Sequence, residues 1–256
     1  MVVPTAYLIW YGNWNQANGS DTPAGQALVR TFLANVGGSP YFQINTTYTG
    51  VSGGVTLYSA GNPTDPTKEA TVSATGNKPL NDNDIKNIVS NVLTSKTLPT
   101  DSNGIYFVLT SSNISKSGFC TQYCGWHTYA TINGVQVQYS FVGNANRCLN
   151  ACAAQSVSPN GNAGVDGMIS VVAHELEEAT TDPQLNAWYD ASGAENADKC
   201  AWTFGSHQQQ MASNGAYYNL TLGGLNFLVQ RNLAASNGTN DAYGNKCFID
   251  WTNKYQ

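Results

Sequence analysis

The sequence predicts an α/β protein, with a mixed twisted sheet, backing helices and disulfide staples, and three observations lead there. Apolar runs of strand length alternate with helical stripes through the first half of the 256 residues, an order that suits a mostly parallel sheet with crossover helices. Asn133-Gly134 separates two further strand-like runs and marks an antiparallel hairpin. Six cysteines form an even set, which in an exported chain reads as three bridges.

Taken in order, residues 6–11 are a short apolar run ending at Gly12-Asn13, as a buried strand does. Asp21-Thr22-Pro23 opens a helix whose stripe is Ala27, Leu28, Phe32 and Leu33, and Gly37-Gly38 stops it. A second strand is expected around 41–49, followed by hairpins and surface loop through the Gly/Pro/Asn-rich stretch 50–78. Residues 81–84, Asn-Asp-Asn-Asp, offer caps for a helix carrying Ile85, Ile88, Val89, Val92 and Leu93, and Pro99 marks its exit. Gly104 opens the clearest strand, 105–109. The runs 126–132 and 135–142 form the hairpin, at an edge of the sheet. A loop held by two cysteines, 145–167, leads into a helix from about 166 to 181, closed by Pro183. The remainder is loop-rich, with a hairpin near 217–228 and Cys247 anchoring the tail. With no internal repeat and no linker, one domain over 1–256 is expected, a sheet/helix half to about 165 and a site helix with a loop-rich part from 166.

Composition narrows the function. Charged residues are 11% of the chain, the net charge is −5, and no Lys/Arg cluster occurs, so nucleic acid and anionic membrane are excluded as partners. No apolar run approaches the roughly 20 residues that cross a bilayer. Met1 set directly before a strand reads as an initiator on a mature, secreted domain whose leader has been removed. Cys120, Cys124, Cys148, Cys152, Cys200 and Cys247 include two C-x-x-x-C pairs; a zinc knuckle is the alternative, but its usual spacing is C-x-x-C. Six cysteines allow 15 pairings, the simplest being the two short pairs facing each other and Cys200 with Cys247. Sequons at Asn18, Asn45, Asn113, Asn219 and Asn237 imply a glycoprotein if used.

The chemistry concentrates in one helix, Val171-Val172-Ala173-His174-Glu175-Leu176-Glu177-Glu178. His174 and Glu178 lie four apart and project from one face, where an imidazole and a carboxylate can hold one metal ion. Glu175 takes the position of the general base in H-E-x-x-H zinc peptidases, with Glu178 in place of the second histidine. Glu195 is the expected third ligand, with Asp198 able to complete or orient the set; Asp182 and Asp190 are substitutes. His127 is a further ligand or an oxyanion-stabilising group, and Tyr189 a second candidate for that role. The plainer reading of such residues is surface charge, and of a lone His127 a satisfied structural histidine. Against the first stands the context: clustered ionisable groups in an apolar, charge-poor frame need a partner. Trp10, Tyr11 and Trp14 are read as core and rim packing rather than a sugar platform.

Several strings together resemble the EXORDIUM / phosphate-induced protein group of secreted plant and microbial proteins. They are the 7–14 opening, Gly118-Phe119-Cys120 to Gly125-Trp126-His127, Asn160-Gly161-Asn162 to Gly167-Met168, the 174–183 string, Asn186-Ala187-Trp188-Tyr189-Asp190 and Glu195 to Cys200. The resemblance covers most of the chain. It implies an extracellular or cell-wall location and, in plants, a link to growth and to carbon or phosphate status, with no established activity to carry over. The order of elements is similar to that of zincin metallopeptidases, an analogy of fold rather than of function. The resulting expectation is a secreted, monomeric zinc metalloendopeptidase with calcium as the alternative ion, acting on a peptide or protein aligned by an edge strand near 139–142. The competing expectation is a non-catalytic extracellular module whose ion is structural and which binds cell-wall glycan or a receptor. A metal-free glycosidase pair is the third.

Overall fold

The computed structural model describes residues 1, 4–48, 50, 68–205, 209–210, 213–235 and 246–252. Its centre is a five-stranded mixed sheet in the order β2-β1-β3-β5-β4, formed by β1 (Thr5–Tyr11), β2 (Glu69–Val72), β3 (Gly104–Thr110), β4 (Gly125–Ile132) and β5 (Val135–Gly143). β1 runs parallel to β2 and β3, β3 runs parallel to β5, and only β4 is antiparallel to its neighbour. β1 and β3 are buried on both faces, which is why they read as continuous apolar runs rather than alternating ones.

Alternate residues of these strands feed two cores. Leu8, Trp10, Phe107 and Leu109 face α1 (Pro23–Val36) and α4 (Ala163–Thr181). Tyr7, Ile9, Tyr106 and Val108 face α2 (Asp82–Thr94). Each fully buried aliphatic or aromatic side chain contributes roughly 1.5–3 kcal/mol, so helices on both faces are what this double-sided apolar sheet requires. Capping sets the helix starts. The Thr22 hydroxyl accepts from the Gly25 amide, Asn81 and Asp84 form a reciprocal capping box, and the Asn162 side chain accepts from the Val165 amide, each cap contributing about 1 kcal/mol. The Asn162 cap starts α4 three residues earlier than its periodicity suggests. Trp10, Tyr11 and Trp14 are buried core residues.

Three expectations are corrected. Residues 41–49 do not form a strand: Phe42–Thr47 is a 3-10 helix. Ser39 Oγ accepts from the Phe42 amide, and the Thr46 and Thr47 hydroxyls donate to the Gln43 and Ile44 carbonyls, so local side-chain bonds outcompete a sheet ladder. The missing strand is β2, inside the stretch read as hairpins and loop; residues 51–67 of that stretch lie outside the described residues. Residues 139–142 are not an edge, because β5 is enclosed between β3 and β4, and the edge of the hairpin is β4.

The cysteines pair as Cys120–Cys148, Cys124–Cys152 and Cys200–Cys247, with no free thiol among the described residues, so no zinc knuckle forms. The first two bridges tie the loop before β4 to the short α3 (Leu149–Cys152). Among the described residues the C-terminal part holds three two-stranded ladders, β6 (Gln209–Gln210) with β7 (Tyr217–Tyr218), β8 (Leu220–Leu222) with β9 (Leu225–Phe227), and β10 (Asn232–Leu233) with β11 (Cys247–Phe248). Of the sequons, Asn45 is fully buried and closed to modification in the folded chain, whereas Asn18 and Asn113 are exposed and Asn237 lies outside the described residues. No described helix is long and apolar enough to cross a membrane.

Candidate metal centre

α4 carries the site, and its first half explains how it is held there. Val165, Met168, Ile169 and Val172 are fully buried, anchoring the helix against the sheet. Near the β4 edge the approach is close enough to require glycine: a Cβ at Gly125 would lie 2.6 Å from Val171 Cγ1 and 2.9 Å from Glu175 Oε1. The second half of α4 then presents His174 and Glu175 to a cleft of about 320 Å³, walled also by Tyr123, Gly125, Asp198 and Trp202.

Inside it, His174 Nε2 lies 3.0 Å from Glu178 Oε1 and 3.4 Å from Asp198 Oδ1. The Asp198 amide donates to the same Glu178 Oε1 at 3.0 Å, which pins the returning chain over the helix. One ligand atom from each of His174, Glu178 and Asp198 lies within 4.8 Å of the others, and the same holds for the buried trio His127, Glu175 and Glu178. Glu178 therefore belongs to both groups.

His127 reaches this position from β4. Its Nε2 lies 3.2 Å from the Asp182 carbonyl oxygen, an acceptor only, so Nε2 carries a hydrogen. Its Nδ1 lies 3.6 Å from both Glu175 Oε2 and Glu178 Oε2. A lone pair on Nδ1 facing two carboxylates is repulsive, so a proton or a cation is required between them. Glu175 Oε2, His174 Nδ1 and Glu195 Oε1 are buried atoms with no hydrogen-bond partner, and such groups are costly unless something else meets them. The donor set, imidazole nitrogen with carboxylate oxygens, fits a divalent transition-metal ion.

Electrostatics point the same way. Burial lowers the pKa of His174, but the charge of Glu178 and the bond to Asp198 outweigh it and hold the imidazole well above its usual range. Burial of His127 is likewise overcome by Glu175 and Glu178, assisted by Glu195. Glu178, despite burial, is pulled down to about 2 by the two histidines. Burial raises Glu175 and pushes Glu195 up to about 8, against the opposing pull of His127. Protons on the imidazoles thus fill the role a metal ion would take over, releasing them as it binds.

The remaining candidates are dispersed. Glu195 does not face His174: its Oε1 lies 3.7 Å from His127 Nε2, and its backbone bridges to Tyr189. Tyr189 is 54% exposed and borders a separate groove with Tyr48 and Trp188. Neither Tyr189 nor His127 lines the cleft, so neither is placed to face a reacting carbonyl there. Asp182 caps the end of α4, accepting from the Asn186 and Ala187 amides. Asp190 closes a turn and pairs with Lys199 at 2.5 Å. Sequence reasoning passed over Glu177, fully buried with bonds from Asn45 and Asn232; its signal was a second glutamate beside Glu178 on an otherwise apolar helix. It also passed over Trp202, two residues beyond Cys200. His207 lies outside the described residues.

The conserved-region model of phosphate-induced protein 1 matches residues 4–231, which span this whole constellation. The chain is 30% identical to Protein EXORDIUM-like 3 of Arabidopsis thaliana over 265 residues, covering 88% of this chain and 75% of that protein. It is 29% identical to Protein EXORDIUM-like 5 of the same plant over 279 residues, covering 91% and 73%. Over a shorter stretch of 103 residues, 33% of each chain, it is 35% identical to Protein PHOSPHATE-INDUCED 1 of Nicotiana tabacum. No solved structure matches the chain. The chain belongs to the phosphate-induced protein 1 family, which includes the EXORDIUM-like proteins.

Proposed function

We propose that this member of the phosphate-induced protein 1 family is a secreted, zinc-dependent hydrolase acting on peptide bonds. The observation that carries the reading is the convergence of His174, Glu178 and Asp198 within 4.8 Å, beside a cleft lined by His174, Asp198 and Glu175. His174, Glu178 and Asp198 would hold the ion; one nitrogen with two oxygens suits zinc, whereas calcium prefers an all-oxygen cage. Bound there, zinc supplies Lewis-acid chemistry. Glu175, buried with one unpartnered oxygen and a pKa raised by burial, is suited to take a proton from the attacking water. It returns that proton to the leaving nitrogen as the C–N bond breaks. His127 braces Glu175 and Glu178, and Glu195 braces His127 from its other side, so Glu195 supports the ligands in this reading rather than joining them. β4, open on one side among the described residues and meeting the cleft at Gly125, offers an extended peptide a strand to pair with. Three disulfides suit an oxidising, extracellular setting.

A non-catalytic module with a structural ion is the second reading, favoured by one observation: Glu175 is only 3% exposed and faces His127. The two readings part on Glu175→Gln. The disulfide-intact protein is stripped with chelator, reloaded with zinc, and assayed on an unfolded protein. The hydrolase reading expects one zinc per chain in both forms and turnover only in the wild type. Absence of zinc overturns the metal centre, and zinc without turnover leaves the structural ion.

A further inference from the structure

A second concave site lies across the segment 195–199 from the metal centre. Asp198 faces the cleft, while Glu195 and Lys199 border a groove of about 450 Å³ on the other side. Three aromatic side chains line it, Tyr48, Trp188 and Tyr189. Trp188 is 36% and Tyr189 54% exposed, and the two are adjacent in the chain. Trp188 is held edge-on against Tyr48 at 5.1 Å, and Tyr48 is fixed from below by its hydroxyl, which donates to the Leu233 carbonyl at 2.7 Å. An exposed ring held in place as Trp188 is presents a rigid apolar surface at little entropic cost.

The rim decides the ligand chemistry. Lys199 Nζ and Asp190 Oδ2 are 2.5 Å apart, so the groove carries both signs of charge and no unpaired cation among the groups that line it. An anionic ligand such as a phosphate or uronate would have to break that pair to be neutralised. An aliphatic peptide would bury the rings but leave the ammonium and carboxylate facing apolar atoms. A pyranose satisfies both surfaces, laying its C–H face on an aromatic ring while its hydroxyls donate to the carboxylate and accept from the ammonium. We propose that the Trp188/Tyr189 groove is a binding site for a neutral oligosaccharide, separate from the metal centre. This inference does not depend on hydrolase activity or on zinc, because none of its contacts is a proposed metal ligand.

The test is calorimetric and fluorescence titration of the whole disulfide-intact protein with cellohexaose and chitohexaose. An oligogalacturonate and an apolar hexapeptide serve as comparison probes. A neutral hexasaccharide is expected to bind with a change in tryptophan emission. Tyr189→Ala, at an exposed position, should weaken binding by roughly tenfold or more with thermal stability unchanged. Trp188→Phe, which keeps a ring against Tyr48, should retain more affinity than Trp188→Ala and guards against loss through misfolding. The proposal is overturned if neither neutral sugar binds at millimolar concentration, if Tyr189→Ala binds as the wild type does, or if the oligogalacturonate or the peptide binds more tightly.

Discussion

α2 and α4 pack on opposite faces of one sheet and treat charge in opposite ways. α2 keeps Asp82 and Asp84 in its first turn, where the helix dipole favours carboxylates, and turns a polar face outward. α4 is buried on nearly every side and carries Glu175, Glu177 and Glu178 toward its C-terminal end, with no basic residue in its last turn. Carboxylates there oppose the dipole and lose hydration as well. α2 is a helix built for stability. α4 gives up stability in its last two turns, and such a breach of local rules is expected where a site must bind something. The carboxylates of α4 are kept instead by their partners: His127 and His174 beside Glu175 and Glu178, Asn45 and Asn232 on Glu177, and, in the proposed function, a cation.

The largest losses are expected where a partner is removed from α4. Glu178→Ala takes from two buried imidazoles the carboxylate they share, and removing one partner of a buried pair costs about 3–5 kcal/mol; chemical denaturation measures it, and zinc uptake should be lost as well. Gly125→Ala forces a Cβ into Val171 and Glu175, and overpacking of that kind costs roughly 1–3 kcal/mol; the same denaturation series reads it, together with a drop in zinc affinity as Glu175 and the helix are displaced. On α2, the exposed Lys86→Ala should fall within about 0.5 kcal/mol of wild type. Comparable losses at Glu178 and Lys86 would erase the contrast.

A pH series sharpens the comparison without mutation. In the metal-free chain the pKa values of His127 and His174 are raised, so the stability they contribute is full below the unfolded imidazole value of about 6.5 and declines as pH rises through their folded values. The raised carboxyls of Glu175 and Glu195 act with the same sign, since the folded state binds more protons than the unfolded one. Glu178, lowered to about 2, contributes at pH above its unfolded value and loses that contribution as pH falls toward 2. With zinc present the slope should reverse over the neutral to alkaline range, because binding displaces imidazole protons and tightens as pH rises. Thermal unfolding from pH 6 to 9, with chelator and with zinc, should therefore give slopes of opposite sign. Parallel slopes would mean that the cation does not replace those protons.

Much of the fold was legible because its elements announce themselves locally. β1 and β3 are apolar on both faces, α1 and α2 carry caps and a helical stripe, and Asn133-Gly134 forms the turn between β4 and β5. Phe42–Thr47 deceived because Ser and Thr side chains bond the backbone locally, an effect that apolar spacing does not register. β2 was hidden by its length, four residues that gain strand character only from pairing with β1. At the site, the His174/Glu178 spacing follows from helix geometry alone. The approach of Asp198 depends on the hydrogen bond its backbone amide donates to Glu178, and the place of His127 on the packing of β4 against α4; both are tertiary facts with no periodic trace. Glu195 sits on the other side of His127 because its backbone is bridged to Tyr189, a pairing that linear distance along the chain does not convey.

If His174, Glu178 and Asp198 share one divalent cation, as proposed, anomalous diffraction at the zinc edge from crystals grown with zinc will locate it. A single peak per chain is expected, in contact with His174 Nε2 and with the carboxylates of Glu178 and Asp198; its absence from that position would rule the shared site out. A peak confined to the buried His127, Glu175 and Glu178 group would contradict it as well.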